Sequence, residues 1–100
     1  MSALPLHRSL LFVPGHRADR FDKALAAGAS AVIIDLEDAV APSDKDAARA
    51  ALAAWLRPGH AVIVRINSAD TPWFELDLQL CGAPGVAGVM LPKAESPDTL

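Results

Sequence analysis

Cysteine is nearly absent. Cys81 stands alone in 100 residues, so no internal disulfide can form, and a reducing, cytoplasmic setting is expected. Long apolar runs are missing too. The N-terminal stretch MSALPLHRSLLFVPG breaks at Pro14 and is too short for a signal core or a membrane span. Basic clusters are lacking. Nine Lys and Arg are scattered against twelve Asp and Glu, for a formal net charge of −3, which argues against a nucleic-acid or anionic-membrane partner. His7, His16 and His60 have no metal spacing and read as surface residues. No Ser-His-Asp or Cys-His set can be assembled. The stretch VPGHRADR lacks both G-x-G-x-x-G and the G-K-[ST] ending, so it is no dinucleotide signature. Its backbone can still turn a helix N-terminus towards an anion, with Arg17 and Lys23 nearby. Cys81, beside Gly82, reads as inert packing, and Trp55 and Trp73 as core or interface anchors.

What remains is a globular composition, 52% hydrophobic and 21% charged. Four β-branched, nearly continuous apolar runs stand out: Ser9–Val13, Ala31–Leu36, Ala61–Ile66 and Val86–Leu91. Strands covered on both faces read this way, as in a parallel sheet flanked by helices. Helical patterns lie between them. Asp19–Ala27 ends at Gly28 as a C-cap; Ser43, with Asp46 as a short relative of the capping box, opens a helix reaching Leu56. Pro72 opens a third, with Trp73, Phe74, Leu76 and Leu80 as its apolar positions. The rhythm is βαβαβαβ, the α/β class. Two parallel architectures fit, a (β/α)8 TIM barrel and an open doubly wound sheet. Both need more strands. Ser96 and Pro97 announce a further helix that is barely begun. Residues 1–100 therefore read as the N-terminal part of one longer domain, with no second domain visible.

Polar residues follow every strand: PGHRADR, EDAVAPSDK, RINSAD and PKAES. In parallel βα folds the carboxyl ends of the strands share one face, where sites are built. Arg17, Glu37, Asp38, Arg65, Asn67, Lys93 and Glu95 should converge there. Three carboxylates within Asp35–Asp38 either cap and solvate a loop or attract a cation, and oxygen donors suit Mg²⁺. Arg65 is either an ion-pair partner of Glu37 or Asp38 or a planar fork for a carboxylate or phosphate. Lys93 and Glu95 serve the site or only pair with each other.

Three stretches carry a resemblance to a known family: RSLLFVPGHRADRFDKALAAGASAVIIDLEDAVAPSDKDAAR, then VRIN, then VMLPKAES. In order and spacing they resemble the citrate lyase β-subunit-like branch of the HpcH/HpaI aldolase family, which includes malyl-CoA lyases and other CoA-ester lyases. The resemblance implies a (β/α)8 barrel of which this chain supplies strands one to four. It implies Mg²⁺-dependent aldol or Claisen chemistry on a 3-hydroxyacyl-CoA or a related keto or hydroxy acid. Arg65 would bind the substrate and Phe12, Arg17 and Lys23 would contact CoA. Glu37 and Asp38 would act with Arg65 in catalysis, near the metal and its waters. Direct metal ligands are expected beyond residue 100, so that residues 1–100 alone would be inactive, and a homo-trimer or hexamer is expected. Two rivals remain open: a non-catalytic CoA- or partner-binding fragment, and a phospho-accepting α/β signalling module.

Overall fold

The computed structural model describes residues 9–92. Lys93, Glu95, Ser96, Pro97 and His7 lie outside the described residues. Four strands, β1 (Leu10–Pro14), β2 (Ala31–Asp35), β3 (Val62–Arg65) and β4 (Val86–Met90), alternate with α1 (Phe21–Ala26), α2 (Lys45–Trp55) and α3 (Phe74–Leu80). All neighbours pair in parallel, in the order β1-β2-β3-β4. That order discriminates between the two architectures. A flavodoxin-like sheet places its second strand outside the first and reverses direction between the first and third. Here β2 lies between β1 and β3, and β4 pairs with β3 rather than β1, as barrel winding requires; neither doubly wound order fits.

The strands form because β-branched side chains pack well on a pleated surface. Period-two alternation sends Val13, Val32, Ile34, Val62 and Val64 to the face where the helices lie. Phe21 and Ala24 of α1 and Ala48 and Leu52 of α2 meet them in one buried cluster. The register aligns Phe12, Ile33 and Ile63 across the opposite face. Only β2 is buried almost throughout; Leu10, Phe12 and Val89 are exposed. The expectation of strands covered on both sides therefore holds for β2 alone: among the described residues no helix covers the second face, where Leu10 and Phe12 lie, and Val89, level with Val64 on the helix side, sits on the edge strand.

Three local expectations need correction. Ser43 does not cap α2: Pro42–Asp44 form a 3-10 turn, α2 starts at Lys45, and no side chain caps it. A further 3-10 turn, Ala18–Arg20, precedes a shorter α1, which Gly28 follows with φ at +85°. On α3, Leu76 is exposed and Asp77 is buried instead. The reason is polar: Asp77 accepts from the Asn67 backbone N–H at 3.0 Å and from Asn67 Nδ2 at 2.6 Å, while Arg49 Nη1 donates to it at 3.2 Å. Trp55 is an anchor as expected, edge-on to Phe21 and stacked on His60, with its indole N–H donating to Asp22. No helix among the described residues is long and apolar enough to cross a membrane.

Candidate active site

Asp35 ends β2 and Arg65 ends β3, and the parallel register makes them direct neighbours. Cross-strand partners share a face, so the two side chains meet. Arg65 Nε donates to Asp35 Oδ1 at 3.0 Å and Nη2 donates to Oδ2 at 2.6 Å. The same carboxylate accepts the N–H groups of Glu37 at 2.8 Å and Ala39 at 3.1 Å. Asp35 is 2% exposed. Burial alone would raise its pKa, but the guanidinium and the two amides outweigh burial and hold it below the ordinary carboxylate value. The hydrogen bonds that Arg65 donates to Asp35 raise the pKa of Arg65 in turn.

Glu37 Oε1 lies 3.6 Å from Arg65 Nε, and the Phe12 ring sits 5.3 Å from the Arg65 guanidinium carbon. Arg65 Nη1 makes no hydrogen bond to a described residue. Its fork is thus held by one carboxylate while another edge stays available. Asp38 is exposed and forms no ion pair among the described residues. Gly15 lets β1 approach this corner: its N–H donates to the Asp35 carbonyl at 2.8 Å, and a Cβ would meet Leu36 Cδ2 at 2.7 Å.

Phe12, Arg17 and Lys23 come together along the β1 side, lining a cleft of about 450 Å³ with Arg20. Arg17 is tied to Asp19 there by Nε and Nη2 at 3.0 and 2.9 Å. Asn67 leaves the group expected at the strand ends; its side chain turns into the buried network with Asp77 and the Leu36 carbonyl. Cys81 carries a thiol whose pKa burial raises, consistent with an inert role. Among the described residues, no group of three or more His, Cys, Asp or Glu is placed to hold a metal ion. Asp35 was visible in sequence only as one acid of a cluster. The signal that singles it out is its place at the end of an apolar run, level with Arg65 on the next.

A family model described as HpcH/HpaI aldolase/citrate lyase matches residues 8–100. A citrate lyase subunit beta-like protein from Deinococcus radiodurans is 44% identical over 95% of this chain and 36% of its own. A (3S)-malyl-CoA thioesterase from Cereibacter sphaeroides is 40% identical over 86% of this chain and 32% of its own. The chain thus spans about a third of the curated relatives it matches. The Mycobacterium tuberculosis citrate lyase beta subunit, solved with oxaloacetate and magnesium, is 47% identical. It superposes with a TM-score of 0.70 over 87% of this chain and 39% of that one. The CitE protein of that organism, solved with magnesium, acetoacetate and coenzyme A, is 49% identical with a TM-score of 0.70, over 87% of this chain and 32% of that one. The four strands and three helices therefore correspond to part of a TIM-barrel-like chain, in agreement with the strand order.

Proposed function

Since the chain belongs to the HpcH/HpaI aldolase/citrate lyase family, we propose that it is the first half of a single (β/α)8 barrel that cleaves or forms a carbon–carbon bond in a 3-hydroxyacyl-CoA or a related keto or hydroxy acid. The observation that carries this reading is the Arg65 fork, pinned by Asp35 beside Glu37 at the carboxyl ends of the strands. A guanidinium held in one orientation binds a carboxylate with little loss of side-chain freedom. The relatives solved with oxaloacetate or acetoacetate support an oxo acid as substrate, and the one solved with coenzyme A supports an acyl-CoA.

Arg65 binds the acid through the edge that Asp35 leaves available. Phe12 covers the guanidinium and, with Arg17 and Lys23, offers the basic cleft to the phosphates of CoA. Glu37 and Asp38 supply hard oxygen donors, and these suit Mg²⁺, which retains several of its waters. Both oxygens of Asp35 are already engaged, so Glu37 and Asp38 would hold the metal's waters, with the direct ligands elsewhere in the barrel. Bound Mg²⁺ supplies Lewis-acid stabilisation of the negative charge that develops when the bond to the carbon beside the thioester breaks. The adjacent negative groups of the DLED stretch are thereby accounted for: Asp35 is neutralised by Arg65, and Glu37 and Asp38 face a cation. A cytoplasmic location and a homo-oligomer, trimer or hexamer, belong to the same proposal.

The test is product analysis on the full-length protein with Mg²⁺ and malyl-CoA, citramalyl-CoA, citryl-CoA or oxaloacetate. Carbon–carbon cleavage of an acyl-CoA yields a shorter acyl-CoA and a carbonyl acid. Thioester hydrolysis, the activity named for the Cereibacter relative, yields free CoA and a hydroxy acid. Hydrolysis alone would replace the lyase reading; binding of CoA without turnover would favour the non-catalytic one.

A further inference from the structure

We infer that Lys45 is a positioning residue whose buried ammonium fixes the acidic turn at the end of β2. The inference rests on the reading of Glu37 and Asp38 as site residues. Lys45 is the first residue of α2 and is only 7% exposed, which is rare for lysine. Its Nζ donates to the carbonyl of Leu36 at 3.0 Å and to that of Glu37 at 2.8 Å. The Trp73 ring lies 5.2 Å away, within cation–π range. No carboxylate among the described residues lies within ion-pair distance of it. A buried cation compensated by two consecutive backbone carbonyls and a ring face is an uncommon arrangement, because burying a charge without a counter-charge is costly.

The two carbonyls flank the peptide that leads into Glu37 and Asp38. Asn67 Nδ2 reaches the Leu36 carbonyl from the other side at 3.0 Å. The amides of Glu37 and Ala39 are meanwhile held by Asp35. The turn is therefore gripped at its carbonyls by Lys45 and Asn67 and at its N–H groups by Asp35. Lys45 also places positive charge beneath a segment whose outward side chains are both acidic. Its Nζ addresses the backbone rather than the site, so it acts through Glu37 and Asp38.

The experiment compares the full-length wild type with Lys45→Met, which keeps length and apolar character but removes charge and donors. Amide exchange at Glu37 and Ala39 should quicken at least about tenfold, with Val64 in the middle of β3 as the internal reference. In the same preparation kcat should fall about 10- to 100-fold with KM nearly unchanged, since misplacing a supporting group costs about that much. If Lys45→Met does not fold, Lys45→Gln carries the same two readouts, because its amide is too short to span both carbonyls. Unchanged exchange at Glu37 and Ala39, or equal acceleration at Val64, would overturn the inference and reduce Lys45 to general packing. Exchange needs no substrate, so it tests Lys45 even if the protein proves not to be a lyase. Faster local exchange with an unchanged kcat in an active enzyme would also overturn it.

Discussion

Arg65 is where charge, geometry and burial meet, and its variants separate binding from folding. Arg65→Lys keeps the charge but loses the fork, so Asp35 receives one donor from position 65 in place of two. Loss of a charge-assisted hydrogen bond costs roughly 1.5–3 kcal/mol. On the acid substrate this corresponds to a fall in kcat/KM of about 10- to 100-fold, measured by steady-state kinetics with the melting temperature on the same sample. The melting temperature should fall as well, because the ion pair with Asp35 is structural whatever Arg65 does for the substrate. Asp35→Asn removes the charge from a nearly buried pair, a loss on the order of 3 kcal/mol, and changes the acid limb of stability. The Asp35 pKa is lowered in the folded state. Its contribution is therefore present above the unfolded carboxylate value of about 4 and is lost as pH falls through the lower folded value. The stability of Asp35→Asn should accordingly depend less on pH below about 4 than that of the wild type, as read by denaturant titration across that range. That Arg65 and the acids of 35–38 gather at the ends of β2 and β3 was legible in sequence, because a charge that closes an apolar run marks where the strand stops. Asp35, Lys45 and Asp77 were not, because a buried charge and an exposed one are written with the same letter. Only the register and the packing of α2 and α3 tell them apart.

The order and direction of the elements were legible because hydrophobic period and turn chemistry are local signals. Their ends were less so. Helix α2 begins two residues after Ser43, and α3 turns its leucines Leu76 and Leu78 outwards, so that Asp77 reaches Asn67 and Arg49. A helical apolar pattern does not reveal that a polar network outbids it. The turn into β4 carries a sharper constraint. Gly85 has φ at +103°, and a Cβ there would collide with the Arg57 carbonyl oxygen. The Gly85 carbonyl accepts the Val62 N–H, and the β3–β4 register shifts between Val62 and Ile63. Gly85→Ala therefore combines backbone strain of roughly 1–3 kcal/mol with a clash against main chain. Thermal unfolding should register a drop of at least this size. A melting temperature equal to wild type would mean that the turn adopts another conformation.

Across the whole molecule, the four strands leave one face and both edges open among the described residues, with Leu10 and Phe12 exposed on that face and Val89 and Leu91 exposed at the β4 edge. Open parallel edges and uncovered apolar surface favour association. A polypeptide of residues 1–100 alone is expected to aggregate or to unfold without cooperativity; a monomer with a sharp thermal transition would contradict the half-barrel reading. The second face, which no helix covers among the described residues, is the one that Asp35, Arg65 and Phe12 share by register, and closure of a barrel would enclose it. Rhythm alone gave the parallel α/β class and left barrel and open sheet both standing, because a local hydrophobic period carries no information on the order in which strands pair. The most direct measurement is the rate of acyl-CoA cleavage by the full-length protein, with and without Mg²⁺, for the wild type and Arg65→Lys. Mg²⁺-dependent formation of a shorter acyl-CoA and a carbonyl acid, at least about tenfold slower in Arg65→Lys, is the expected result. Absence of carbon–carbon cleavage with any of the substrates, or equal rates in the two proteins, would contradict it.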